Sequence, residues 1–132
     1  MKLIRLMRLK KERQKELKKL ARIRSDLKNQ VSAKEAQIIE IKKDIKLIEL
    51  EVQEIKEKIE KLEAQQNQIK KVDEFNALTH EVSTLEKQRH AKELAASDLI
   101  DKQNVEEDLL KELQSSLAET DSNSRQLEEE IY

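Results

Sequence analysis

Apolar residues recur along the first half of the chain at alternating steps of three and four. The stripe reads Leu3, Leu6, Lys10, Arg13, Leu17, Leu20, Arg24, Leu27, Val31, Lys34, Ile38, Ile41, Ile45, Ile48, Val52, Ile55, Ile59, Leu62, Gln66 and Ile69. Fifteen of these twenty positions are apolar, and the register holds for nearly ten heptads. A 3.5-residue repeat marks a helix that buries a narrow seam against another helix. A second, weaker stripe runs Phe75, Leu78, Val82, Leu85, Arg89, Lys92, Ala96, Leu99, Gln103, Glu106, Leu110, Leu113, Leu117, Thr120, Ser124, Leu127 and Ile131. Four of its six polar positions fall between Arg89 and Glu106. Leu94, Ile100 and Val105 lie off the stripe there, which suggests a local change of phase.

The two stripes are out of phase between Ile69 and Phe75, so the chain turns there. Asp73 can cap the second helix by accepting from its free amides, and Val72 can staple against Ala77. Lys70 and Lys71 suit the last turn of the first helix, where positive charge complements the dipole. Ser32-Ala33-Lys34-Glu35 also matches a capping box, but the seam runs straight through it. Asp121-Ser122-Asn123-Ser124 is the expected point of fraying or a second break, because such side chains compete for backbone hydrogen bonds. The fold expected is all-α: a long antiparallel two-helix coiled-coil hairpin with its corner near residues 70–73. It forms one domain over 1–132, with helix 1 at about 1–70 and helix 2 at about 73–132. A seventy-residue helix is roughly 105 Å long.

Charge changes the picture by choosing the direction of pairing. Residues 1–30 carry twelve Lys/Arg and three Asp/Glu, whereas residues 98–132 carry three and eleven. A corner at 71–72 sets residue i beside residue 143 − i. That brings Arg24 to Glu119 and Arg13 to Glu130, and sets Arg89 and Lys92 beside Glu54 and Glu51. An antiparallel dimer of straight helices would satisfy the same charges, but the corner signals favour the hairpin. Each exposed pair is worth at most about 1 kcal/mol, against roughly 1.5–3 kcal/mol for each buried Leu or Ile. The seam therefore holds the fold and the charges orient it.

Composition narrows the functions. Charged residues are 42% of the chain and aromatics 2%, with no Gly, Pro or Cys, as in long helices and coiled coils. The formal net charge is −1, which excludes a uniformly basic or acidic role. No disulfide framework or thiolate metal site is available. His80 and His90 are ten residues apart, not at the spacing that lets two imidazoles share a metal on one face, and no Gly-rich loop cradles a phosphate. The expectations are no enzyme and no cofactor in this chain. The segment Met1-Lys-Leu-Ile-Arg-Leu-Met-Arg-Leu9 lacks the continuous apolar run of a secretory signal, and no stretch reaches transmembrane length. No membrane insertion and a cytoplasmic location are expected. The basic run Arg5, Arg8, Lys10, Lys11, Arg13, Lys15, Lys18, Lys19, Arg22 and Arg24 could attract nucleic acid or anionic lipid. No aromatics interleave for stacking, and acidic partners exist within the chain, so a charge-matched stem is the preferred reading.

More informative is a second apolar set outside the seam: Ala36, Ile39, Leu47 and Leu50, with Leu94 and Val105 at comparable heights. Either a wide seam absorbs these residues or they form a third surface for a partner helix or for self-association into a homodimer.

The corner sequence Lys71-Val72-Asp73-Glu74-Phe75-Asn76-Ala77-Leu78-Thr79-His80-Glu81-Val82 resembles that of a bacterial family joining a long helical hairpin to a C-terminal zinc ribbon. Asp73 and the motif positions Glu74, Phe75, Ala77, Leu78, Glu81 and Val82 carry the resemblance. The family includes FlgZ-like flagellar regulators and a chlamydial member, which this chain resembles more. The resemblance implies an adaptor or chaperone that binds sigma-54 (RpoN) and connects it to a type III secretion or flagellar export apparatus. This chain has no cysteine, so any zinc belongs to a ribbon outside it. The seam is already in register at Leu3 and still running at Ile131, as expected of a helical domain trimmed from a longer protein. The alternative reading is a structural coiled-coil rod or oligomerisation spacer with no dedicated client.

Overall fold

A computed structural model of the chain describes residues 2–131; Met1, Tyr132 and the side chain of Ile131, the last seam position, lie outside the described residues. Two helices account for nearly all of it: α1 (Lys2–Gln66) and α2 (Val72–Ile131). They form the expected helical hairpin, and no strand occurs among the described residues. Neither the capping-box sequence at 32–35 nor Asp121–Ser124 interrupts its helix. An unbroken seam on either side outweighs the local competition of Ser, Asn and Asp side chains for the backbone.

The corner occupies residues 67–71, beginning before the expected 70–73. It needs no glycine because no described residue takes a positive φ. The amides of Gln68 and Ile69 donate to the carbonyls of Gln65 and Gln66 at 3.1 and 3.2 Å. These tighter i→i+3 bonds finish α1 without a left-handed residue. The Phe75 amide donates to the Lys71 carbonyl at 3.0 Å, which makes Lys71 the cap position. Asp73 is thus not the cap. With Glu74 it lies inside the first turn, where a carboxylate favours the helix dipole. Lys70 and Lys71 follow α1 rather than closing its last turn, which holds no basic residue. Val72 is 71% exposed, so it does not staple against Ala77.

The chain divides into two compact units: residues 39–104, containing the corner, and residues 1–38 with 105–132. In the corner unit the seam of α1 is a row of branched aliphatics. Ile41, Ile45, Val52, Ile55 and Ile59 are all buried, and Ile48 is half-buried. On α2 the half-buried positions are Leu78, Val82, Leu85, Arg89, Lys92, Ala96, Leu99 and Gln103, all on the expected seam, together with Glu86. The expected change of phase does not occur, because Leu94 and Ile100 are exposed while Arg89 and Lys92 stay on the seam. Long basic side chains lay their stems along apolar neighbours and keep their charge in water, so a polar letter at a seam position does not move the seam. Phe75, the first seam position of α2, is 43% exposed.

The terminal unit follows the same register with a thinner core. Leu17, Leu20, Leu27 and Val31 of α1 are half-buried, as are Leu110, Leu113, Leu117 and Leu127 of α2; Ile38 and Thr120 are buried. Thr120 satisfies its hydroxyl by donating to the Ser116 carbonyl at 2.9 Å.

Candidate protein-binding surface

Charged side chains that interrupt the seam place their heads differently in the two units. In the corner unit Lys92 pairs with Glu51 as expected. Arg89 does not reach Glu54; it pairs along its own helix with Glu86 at 2.8 Å and Glu93 at 3.8 Å. Near the corner, the Gln66 amide donates to Thr79 Oγ1 at 2.5 Å, and Thr79 donates to the Phe75 carbonyl at 3.1 Å. In the terminal unit Arg13 meets Glu130 as expected, donating to its carbonyl at 3.1 Å with the carboxylate 3.6 Å away. Arg24 pairs with Asp121 at 2.6 Å rather than with Glu119. Lys34 and Glu106 meet at 2.5 Å and are the least exposed of these pairs, with side chains 23% and 13% accessible. Within each unit the paired residue numbers fall on α1 as they rise on α2, so the helices run antiparallel.

The off-seam apolar residues stay outside the packing. Ile39, Leu47 and Leu50 are 53%, 58% and 52% exposed. At 100° per residue they lie on the side of α1 opposite Ile41, Ile45 and Ile48. The seam does not absorb them, and they form one stripe in the corner unit. Leu94, 54% exposed, belongs to the same unit but sits on the outer face of α2. In an antiparallel pair the outer faces point apart, so Leu94 does not extend the α1 stripe. Ala36 and Val105 belong to the terminal unit and are exposed. Of the corner motif, Asp73, Glu74, Phe75, Ala77 and Glu81 are exposed, whereas Leu78 and Val82 face the seam.

One concavity in the terminal unit, an open groove of about 510 Å³, lies beside Leu17, Ala21, Arg24 and Asp121. Among the described residues no three His, Cys, Asp or Glu side chains gather as a metal site would require. His80 and His90 are both exposed. No described helix is long and apolar enough to cross a membrane. Sequence reasoning passed over one feature. Ile4, Met7 and Leu9 surround the seam positions Leu3 and Leu6, and all five are exposed. The signal was their density, five large apolar residues in the seven from 3 to 9, hidden within a run read for its basic charge.

No protein-family model matches the chain, and no curated protein matches it. A solved structure does: CT398 from Chlamydia trachomatis superposes with a TM-score of 0.86 at 48% sequence identity, over 98% of this chain and 55% of that one. This chain is similar to CT398 along nearly its whole length. It spans little more than half the length of CT398. The expected kinship with a chlamydial protein is met.

Proposed function

We propose that this chain is the helical part of a non-enzymatic coiled-coil adaptor or chaperone of the FlgZ-like kind. It binds sigma-54 in the cytoplasm and links it to a type III secretion or flagellar export apparatus. The observation that carries the reading is the stripe of Ile39, Leu47 and Leu50, more than half exposed on the face of α1 turned away from the seam. A two-helix hairpin needs one seam, and a second apolar stripe at helical spacing suits a partner helix docked on that face. The corner motif from Glu74 to Val82 and the similarity to CT398 support the family part of the proposal. In this reading any zinc sits in a ribbon beyond these residues, and nucleic acid is not the client of the basic segment.

The test is a titration of the purified chain against sigma-54, with an unrelated sigma factor as control. Saturable binding to sigma-54 alone is expected. Replacing Ile39, Leu47 and Leu50 together with glutamine should weaken it at least tenfold while leaving helicity unchanged. Absence of binding, or binding indifferent to the triple substitution, would contradict the adaptor reading and leave a structural spacer.

A further inference from the structure

The corner does little to fix which residues of the two helices pair. It holds no glycine or proline, and no described residue takes a positive φ. The bonds that finish α1 join main-chain groups, which any residue supplies, and the Gln66–Thr79 bond is exposed. Apolar rows that repeat every seven residues meet again when one helix slides along the other by a heptad. Such a slide moves the corner by half a heptad and needs no longer loop.

Cross-helix pairs near the surface tolerate the slide. In the terminal unit, a slide that takes Asp121 from Arg24 brings Glu128, seven residues on, to its place. In the corner unit, the opposite slide takes Glu51 from Lys92 and brings Asp44. Arg13 and Glu130 have side chains 38% and 58% accessible, so parting them costs little. Lys34 and Glu106 are different. A slide one way sets Lys34 against Leu113, and the other way sets Glu106 against Leu27. At 23% and 13% accessible, these are the side chains for which an unpaired charge is costly.

We propose that Lys34 and Glu106 are the register lock of the hairpin, the layer that selects one alignment among those the apolar rows permit. A part-buried ion pair adds little net stability, but a polar position within an apolar seam specifies register at a cost in stability. The lock does not depend on the client proposed above.

The chain has no cysteine, so Ser32→Cys and Ser122→Cys place one spin label on each helix, at exposed positions staggered along the terminal unit. Pulsed electron–electron resonance in an excess of unlabelled chain reads the separation within one molecule. The parent should show a single narrow distribution. Lys34→Met with Glu106→Leu should keep its helicity and add a second population displaced by up to about 10 Å, seven residues of helical rise. The exchanged pair, Lys34→Glu with Glu106→Lys, should restore the single population, and Arg24→Gln with Asp121→Asn should leave it single. Four results would overturn the proposal: one unshifted population in the Met–Leu variant, loss of helicity in that variant, a mixed distribution in the exchanged pair, or equal broadening when Arg24 and Asp121 are neutralised.

Discussion

The corner unit and the terminal unit share one heptad register but are held together differently. Ile41, Ile45, Val52, Ile55 and Ile59 give the corner unit a continuous apolar row on α1, each at most 9% exposed. The terminal unit spaces its leucines with Arg13, Arg24 and Lys34 on α1 and with Glu106, Thr120 and Ser124 on α2. Its only described residues below that level of exposure are Ile38 and Thr120. Burial of apolar area is not screened by salt, whereas half-exposed ion pairs are. The corner unit is therefore held chiefly by burial, with the one cross-helix ion pair of Lys92 and Glu51 beside it, and the terminal unit depends more on charge. The corner unit can also leave Leu47 and Leu50 outside its core without losing its seam.

The largest effect should come from the aliphatic row. Ile45→Ala or Ile55→Ala should cost about 2–4 kcal/mol in urea unfolding, through lost burial and the cavity left behind. Leu17→Ala, at a half-buried position of the terminal unit, should cost less than half as much.

Next comes Glu106→Ala, which strands Lys34 in a part-buried site and should cost about 1–2 kcal/mol. Changing both partners, Lys34→Met with Glu106→Leu, should give a protein as stable as the parent or more so. That double variant turns a layer of the terminal unit into one resembling the corner unit, and its unfolding should become less dependent on salt.

Thr120→Val makes the same conversion on a smaller scale. It adds a buried methyl at the cost of a hydroxyl that bonds only within its own helix, and should raise stability by about 0.5–1 kcal/mol. The smallest effect belongs to the outer stripe: Leu47→Gln should change stability by no more than about 0.5 kcal/mol. A larger loss would mean that the stripe packs within the hairpin.

Most of the fold was legible because a 3.5-residue repeat states which side of a helix is buried, whatever its neighbours do. The half-buried positions of α2 follow the sequence stripe through Arg89, Lys92, Gln103 and Glu106. The change of phase expected there was an over-reading of polar letters whose stems pack as well as aliphatics. Individual partners were less legible. Arg13 and Lys92 found the expected carboxylates, while Arg89 and Arg24 took others, because a long flexible side chain chooses among several acids of similar energy. The cap at Lys71 escaped because a corner closed by i→i+3 bonds leaves no glycine or proline mark. For the surface, spacing identified Ile39, Leu47 and Leu50, but it could not say that Leu94 faces the other way. That follows only from the pairing of the two helices.

Amide hydrogen exchange at residue resolution, compared at low and high salt, tests the contrast between the units most directly. Local opening energies rise with buried apolar contact. The amides of residues 41–59 should exchange slowest and at nearly the same rate in about 0.05 and 0.5 M salt, whose screening lengths differ about threefold. Those of residues 13–34 and 106–124 should exchange faster, and several-fold faster again at the higher salt. Equal protection in the two units, or a salt response confined to the isoleucine row, would contradict the account.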